Sequence, residues 1–403
     1  MITAGSGLAM DRDPVRAMGE ACVAARERCG ADRADLCLIF VTPEAAPQAH
    51  ELLLVAARAT GAAAIVGCSA AGVLTERMEF ESWNPGGHAG QAAAAALVVG
   101  GLDVAAQLIE PQGGLAGAAG TALGARLADD GPATSALVMP DPAGLRPPEL
   151  LQGIAEAAGS LSVLGGVASG GPLFELCNAA VASGAVAAVG VRGPAPVVGV
   201  AQGCEPIGEP FVITRAQGQV VVEIAGRSAL AVLEEAVQGI DAPAERIQAA
   251  GLFAGLAIDP AKSPLGRGDF LIRALVGADR EAGALALAQD VRVGQTIQFH
   301  LRDGAAARAD LDATLERVAA GLAGRAPAFG VYFNCAGRGQ GLFGVADHDI
   351  GRIRARLGDF PLCGFFGNGE FAPVGGRNFF HTYTGVLVVF PGSGPATEAQ
   401  RGA

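Results

Sequence analysis

A short loop near the C-terminal end of the sequence carries the residues with the clearest chemical potential. Cys335 is followed there by Arg338, which stands between Gly337 and Gly339. A guanidinium presents a planar fork that binds a carboxylate through two hydrogen bonds. The flanking glycines let the loop bend and let a ligand approach the backbone closely. We therefore expect this loop to contact an anionic group of a small ligand, chiefly through Arg338.

A second segment further along the chain offers the opposite charge. Glu370 directly follows Gly369. An amino acid needs one cationic and one anionic partner, and Arg338 together with Glu370 supplies both. Two alternatives stay open at this point. Glu370 instead caps backbone amides of its own turn, or Arg338 forms a structural ion pair with Glu370 or Asp347.

Three other polar residues are candidates for contact with the same ligand. Asn368 lies between two glycines, where asparagine is also favoured for its tolerance of positive φ. His381 precedes the last strand and either contacts a ligand, acts as a base or fills a hydrogen-bonding niche. Ser69, beside Cys68, occupies another glycine-bracketed turn, as Ser169 does elsewhere. Such hydroxyls bind either a ligand or their own backbone.

The cysteines leave room for an enzymatic alternative. None of the eight forms a Cys-x-x-Cys pair, and the five histidines are scattered, so we expect neither a metal nor a cofactor. Most thiols are expected to be free and buried. A thiol beside a guanidinium ionises more readily, however, so a thiol-dependent hydrolase or transferase would use Cys335 or Cys68 with His381 as base. No nucleophile elbow or phosphate-binding motif is present, and we expect a binding protein rather than an enzyme.

Composition restricts the partners of the chain. Its 403 residues carry a net charge of -12, which argues against nucleic acid and against an anionic membrane surface. Hydrophobic residues make up 51% of the sequence, yet no apolar run is long enough to span a bilayer. The first residues do not read as a secretory signal. We expect a cytoplasmic protein.

One pattern recurs three times along the chain: an apolar strand, a loop with Pro or Gly, a helix, a Gly-x-x-x-x-Gly turn and a closing apolar strand. The opening strands are predicted at 36–41, 135–139 and 329–333, and the turns are Gly67–Gly72, Gly165–Gly170 and Gly364–Gly369. Apolar runs bounded by Gly and Pro favour strands over helices. The sequence therefore predicts an α/β fold of mixed sheets, built from strand–helix–strand repeats with helices outside. Whether the copies form one sheet or a pseudo-threefold assembly stays open.

Further motifs resemble the two domains of the FIST family. The N-terminal hallmark is matched by Gln202-Gly203-Cys204-x-Pro206-Ile207-Gly208 and Val212-x-Thr214. The C-terminal domain is matched by Phe270-Leu271-Ile272-Arg273, Gly294, Phe299-His300-x-Arg302-Asp303, Cys335-x-Gly337-Arg338-Gly339, Gly364-Phe365-x-x-x-Gly369-Glu370 and the strand after Thr384.

The resemblance implies two FIST halves packed together. We place an N-terminal domain at 30–240, a C-terminal domain at 241–391 and a disordered tail at 392–403. It also implies a sensory module of signal transduction that binds a small ligand such as an amino acid. Since no output domain is evident, such a module would signal through a separate partner protein. A scaffold for protein partners is a further alternative. Val73 follows Gly72 where Glu370 follows Gly369, and this departure directs attention to the C-terminal site.

Overall fold

A computed structural model describes residues 1–84, 86–110, 116–129, 131, 133–143, 146–241 and 250–395. The chain divides into two units. The first contains residues 1–200, 314–380 and 384–403, and the second contains residues 201–313 and 381–383. The first unit therefore takes residues from both predicted halves. The predicted boundary at 240–241 adjoins residues 242–249, which lie outside the described residues, and it stays a prediction.

The first unit is built from three modules with one order of elements: strand, helix, strand, helix, strand, a hairpin and a last strand. The first module consists of β1 (Thr3–Asp11), α1 (Pro14–Cys29), β2 (Leu36–Val41), α2 (Ala49–Thr60), β3 (Ala64–Ser69), β4 (Gly72–Thr75), β5 (Glu79–Glu81) and β6 (Ala92–Gly100). The second consists of β7 (Asp103–Ile109), α3 (Ala116–Asp129), β8 (Ser135–Pro140), α4 (Pro147–Ala158), β9 (Ser162–Gly166), β10 (Glu175–Cys177), β11 (Ala180–Ala182) and β12 (Val186–Arg192).

The third module is interrupted by the second unit. It opens with β13 (Val197–Ala201), and the second unit then supplies β14 (Glu205–Gln217), β15 (Val220–Ile224), β16 (Arg227–Ser228), α5 (Ala229–Gln238), β17 (Gly251–Ala257), β18 (Phe270–Asp279), β19 (Ala284–Leu287) and β20 (Thr296–Arg302). The module resumes with α6 (Gly304–Leu322), β21 (Arg325–Cys335), α7 (Gln340–Phe343), α8 (His348–Leu357), β22 (Leu362–Gly367), β23 (Glu370–Val374), β24 (Arg377–His381) and β25 (Gly385–Pro395).

The three modules exchange their hairpins. The sheets run β1-β6-β2-β3-β10-β11, then β7-β12-β8-β9-β23-β24, and finally β13-β25-β21-β22-β4-β5. Each sheet thus keeps four strands of its own module and takes two from another module. The central pairs β2–β3, β8–β9 and β21–β22 are parallel because a helix carries the chain back across each sheet. This arrangement answers the question left open by the sequence, since the three copies form a pseudo-threefold assembly.

Successive side chains of the central strands point to opposite faces of the sheet, and both faces are apolar, which explains why these strands are continuous apolar runs in the sequence. In β2, Leu36, Leu38 and Phe40 face a core shared by all three sheets, and the residues between them face helices α1 and α2. Both sides of the strand are therefore buried, which is typical of sheets covered on two faces. Helices α3 and α4 cover the second sheet in the same way, through residues such as Leu123 and Leu150. The predicted outer helices are confirmed.

The first glycine of each Gly-x-x-x-x-Gly turn has a packing reason. A Cβ on Gly67, Gly165 or Gly364 would overlap a backbone carbonyl oxygen of the adjacent parallel strand. Those carbonyls belong to Ile39, Val138 and Tyr332. The close approach that the sequence indicates at these glycines is therefore made by a neighbouring strand.

In the second unit, six strands pair in the order β14-β20-β17-β18-β19-β15, and a further pairing of β14 with β15 closes the ring. Its interior is apolar, with Ile213, Leu256 and Phe299 packed near Val232 of α5. At the C-terminus, residues 392–395 extend β25, although the tail was predicted to begin there. The remainder of the predicted tail, 396–403, lies outside the described residues. No helix of the described part of the chain is long and apolar enough to cross a membrane.

Candidate functional site

The carboxyl ends of the three central strands are equivalent positions, and each carries a residue that can do chemistry. Thr42 directly follows β2, Asp141 directly follows β8, and Cys335 is the last residue of β21. Each donates its amide to a carbonyl at or just before the start of the last strand of its module. The accepting carbonyl oxygens belong to Ala93, Ala185 and Thr384, and the N···O distances are 3.0, 2.9 and 3.0 Å. Ligands of open α/β sheets bind at this edge. We therefore compare the three ends in turn.

In the first module, the polar groups at this edge bind backbone. The Ser69 hydroxyl is buried and accepts a hydrogen bond from the amide of Phe174 at 3.1 Å. Ser169 donates to the carbonyl of Phe366 and accepts from the amide of Ala71 at 2.8 Å. These contacts favour the backbone alternative for both hydroxyls over the ligand contact predicted for Ser69.

The Cys68 thiol is also buried at this edge. Burial, and after it the nearby Glu175 carboxyl, raise the pKa of Cys68 well above its usual value. A catalytic thiol needs a lowered pKa, so this environment disfavours Cys68 as a nucleophile.

In the third module, the expected ligand contact Arg338 forms an ion pair inside the protein. Its Nε lies 2.9 Å from Oδ2 of Asp349 and its Nη2 lies 3.2 Å from Oδ1, and both side chains are fully buried. The sequence offered Glu370 or Asp347 as the partner of a structural ion pair, and the described ion pair of Arg338 is with Asp349. Asp349 lies in the first turn of α8, eleven residues after Arg338.

Three more donors surround the same carboxylate. The hydroxyl of Tyr332 lies 2.9 Å from Oδ2, Nδ2 of Asn334 lies 3.3 Å from it, and Nδ1 of His348 lies 2.9 Å from Oδ1. Burial by itself raises the pKa of Asp349, but Arg338 and these hydrogen bonds hold it well below its usual value. The arrangement supports a structural role for Arg338, since the charge predicted to meet a ligand meets Asp349.

Glu370 is fully buried, and its described partner is Thr384. Oε2 of Glu370 accepts a hydrogen bond from the Thr384 amide at 3.3 Å and from its hydroxyl at 2.5 Å. Strand register makes Glu370, Glu175 and Val73 equivalent, because they pair with corresponding residues of the adjacent sheets. Glu175 was missed in the sequence because four residues separate it from Gly170, whereas Glu370 follows its glycine directly.

The remaining predicted residues are spread over several places. Gly339 has a φ of +80°, and a Cβ there would overlap the carboxylate of Glu81. The amide of Gly337 lies 3.4 Å from the Cys335 sulfur, which is buried. His381 is buried and is the last residue of β24.

Asn368 and Gly369 lie at a different strand end from Arg338. Gly369 has a φ of +136°, and its carbonyl accepts from the amide of Val167 at 2.8 Å. Asn368 is exposed, donates from Nδ2 to the carbonyl of Ala168 at 3.2 Å and has no positive φ, contrary to the conformational reason considered for it. Both residues therefore lie beside β9 of the second module.

A cavity of about 80 Å³ opens at this second-module edge, and we call it the β8–β9 cavity. It is lined by Pro140, Asp141, Pro142, Pro147, Leu150, Val167, Asn368, Phe371 and Phe380. Of the predicted contacts, Asn368 is the one that lines it. The walls are mostly apolar, and Asp141 and Asn368 are the polar lining groups. Asp141 was not a candidate in the sequence, although its place directly after a predicted strand was a usable signal.

The Asp141 carboxylate is held in place by the surrounding backbone. Its Oδ1 accepts from the amide of Ala143 at 2.6 Å, and its Oδ2 accepts from the amide of Gly184 at 2.9 Å. Asp141 is buried, and its negative charge lies at the wall of the cavity. The site thus offers a fixed anion and an amide next to aromatic rings. No set of three or more His, Cys, Asp or Glu side chains in the described part of the chain could hold a metal ion.

Two family matches cover most of the chain. Residues 35–227 match the FIST N domain, and residues 229–373 match the FIST C domain. The chain belongs to the FIST family. FIST domains are associated with sensory modules of signal transduction. The two family domains meet near residue 228, whereas the first structural unit includes parts of both.

Two relatives that match nearly the whole chain are named as uncharacterized proteins. Uncharacterized protein Rv0628c of Mycobacterium tuberculosis (strain ATCC 25618 / H37Rv) is 35% identical over 392 residues, which are 96% of this chain and 99% of the relative. Uncharacterized protein Mb0898c of Mycobacterium bovis is 34% identical over 96% of this FIST chain and 98% of its own length. A crystal structure of cyanuric acid hydrolase from A. caulinodans aligns with 48% of this chain and 72% of that chain, at 14% identity. Its TM-score of 0.25 is too low to support an argument.

Proposed function

We propose that this FIST protein is a cytoplasmic sensory module that binds a small polar ligand in the β8–β9 cavity. In this proposal, it passes the signal to a separate protein. The observation that carries the proposal is the cavity itself, where Asp141 and Asn368 lie against apolar walls at the carboxyl end of a parallel strand pair. Ligand sites commonly combine apolar walls with a few fixed polar groups.

The size of the cavity restricts the ligand. A volume of about 80 Å³ is several times the space that one water molecule needs, which is on the order of 10–15 Å³ on the same measure. A molecule with a few non-hydrogen atoms fits, and a nucleotide or a peptide does not. Asp141 favours a ligand with a hydrogen-bond donor or a positive charge. A small amino acid or amine meets both conditions.

This proposal moves the ligand site from the Arg338 loop to the second module. Arg338 and Asp349 neutralise each other in a fully buried pair. A ligand carboxylate that bound Nε and Nη2 of Arg338 would have to displace Asp349, which also accepts hydrogen bonds from Tyr332 and Asn334. Breaking a buried pair of this kind is costly. The β8–β9 cavity requires no such exchange.

A thermal-shift screen of small amines, amino acids and carboxylates tests this function. We expect a hit to raise the melting temperature of the wild type and to raise it less in Asn368→Ala, which removes an exposed amide at the rim of the cavity. Gln152→Ala is the matched control because it removes an exposed amide from α4 outside the cavity lining. Equal shifts in both variants, or no shift with any compound, would contradict a ligand site in this cavity.

A further inference from the structure

Two buried carboxyl groups meet behind the wall of the β8–β9 cavity. Asp141 accepts a hydrogen bond from the amide of Gly184, and Oε2 of Glu175 accepts one from the next amide, that of Ala185, at 3.3 Å. Adjacent amides therefore hold the two side chains side by side. Asp141 lines the cavity, and Glu175 is fully buried behind it.

The second oxygen of Glu175 differs from the first. Oε1 is buried and receives no hydrogen-bond donor from the residues that the structure describes. Burial, followed by the charge of Asp141, raises the pKa of Glu175 to about 8. Both causes favour a Glu175 that carries a proton at neutral pH, because two adjacent buried carboxylates repel each other.

The equivalent residue of the third module shows what Glu175 lacks. Oε2 of Glu370 receives both the amide and the hydroxyl of Thr384. Ala185 stands at the position equivalent to Thr384 and supplies an amide but no hydroxyl. Oε2 of Glu175 thus lacks the hydroxyl donor that Oε2 of Glu370 receives.

We propose that an organic cation entering the β8–β9 cavity binds against Asp141 and releases the proton of Glu175 to solvent. This rests on the proposed function, which places a ligand in the same cavity. The positive charge of the ligand offsets the negative charge of Asp141. A negative charge on Glu175 is then no longer repelled by an unpaired carboxylate. The O–H bond of Glu175 breaks, its electron pair stays on the oxygen, and the proton passes to water. One positive charge enters as another leaves.

The surroundings of Glu175 contain little else that titrates. Strand β10 contacts β3, β7, β11 and β12. Cys68 of β3 faces Glu175, and Asp141 is the other titratable neighbour that acts on it. Asp103 and Arg192 lie at the far ends of β7 and β12 and pair with each other at 3.1 Å. Among the described residues, Cys68 and Asp141 are thus the titratable groups that act on Glu175, and Asp141 is the one that lines the cavity.

Nuclear magnetic resonance titration with ethylammonium chloride tests the proton release. The amide signals of Gly184 and Ala185 report binding. The probe stays charged throughout because alkylammonium groups titrate at about pH 10.4. We expect the Kd to fall by up to about tenfold per pH unit between about pH 6 and about pH 8 and to level off above that range. Sodium propionate, which is similar in size and opposite in charge, should bind more weakly at every pH.

Two variants separate proton release from binding. Glu175→Gln mimics the protonated acid and should bind ethylammonium with a Kd that changes less than about twofold over the same pH range. Ala185→Thr supplies the hydroxyl found at Thr384 and should move the pH dependence to lower pH. If the wild type binds ethylammonium without pH dependence, or binds propionate preferentially, this inference is wrong and the ligand site stands. If neither probe binds and no screened compound shifts the melting temperature, the proposed function itself fails.

Discussion

Removing the buried partner of Asp349 is the sharpest test of the role assigned to Arg338. Arg338→Met keeps much of the side-chain volume and removes the charge, which leaves Asp349 fully buried without its guanidinium partner. Breaking a buried pair by removing one partner costs about 3–5 kcal/mol. Domains are stable by about 5–15 kcal/mol, so the loss is a large fraction of the total. We expect a strong shift of the urea midpoint at neutral pH.

The chain offers a matched control and a rescue for this variant. Arg356 forms a two-hydrogen-bond pair with Glu316, at 2.7 Å for each contact, on the protein surface. Arg356→Met breaks a pair of the same geometry without burial and should leave the urea midpoint nearly unchanged. The double variant Arg338→Met with Asp349→Leu should recover part of the lost stability because no unpaired charge remains. If Arg338→Met is as stable as the wild type but abolishes a ligand-induced thermal shift, our reasoning is refuted.

Three further predictions follow from described contacts. Glu175 has a raised pKa of about 8, so the folded state holds a proton that the unfolded state loses, and the free energy of unfolding falls as pH rises towards 8. In urea unfolding, Glu175→Gln should therefore be more stable than the wild type by a few kcal/mol at about pH 8, and the difference should shrink at about pH 5. Gly364→Ala places a Cβ on the carbonyl of Tyr332 and should lower the free energy of unfolding by about 1–3 kcal/mol. The control Gly351→Ala in α8, whose Cβ meets no atom within 4 Å, should raise it by about 0.5–1 kcal/mol, and equal urea midpoints for the two variants would contradict the overlap. All eight thiols are buried, so iodoacetamide should label the native protein slowly and unfolded protein quickly, and rapid labelling of Cys335 would instead support the thiol-enzyme alternative.

Much of the fold could be predicted because the repeat is visible in short sequence patterns, namely apolar runs bounded by glycine and proline. The strands predicted at 36–41, 135–139 and 329–333 lie within β2, β8 and β21, and a helix follows each of them, as the repeat predicts. Glycines at turns carry this information because a Cβ would overlap a neighbouring strand, whatever the rest of the sequence does. The leading strand and helix of each module were missed in the first two copies, where small residues such as Ala and Gly weaken the periodic pattern.

The site was harder to predict because it depends on contacts distant in sequence. The guanidinium of Arg338 and the carboxylate of Asp349 are separated by a short helix and a loop, and nothing in the local sequence distinguishes Asp349 from Asp347 as its partner. Glu175 and Asp141 are brought together only when the second hairpin joins the first sheet. Asn368, Phe371 and Phe380 of the third module line a cavity whose other walls come from the second module. Charge and residue type identified candidates, and tertiary pairing decided among them.

Because every sheet borrows two strands, none of the three modules possesses a complete set of its own. A fragment that ends near residue 200 would lack β23 and β24 beside β9, and its own β4 and β5 would have no β22 to join. Unpaired strand edges of this kind invite association with other chains. The polypeptide must also be synthesised past β25 before the last pairings described here can form, and such distant pairings slow folding. The interlocked sheets therefore make the ribosome-bound chain, rather than the finished protein, the form most in need of protection.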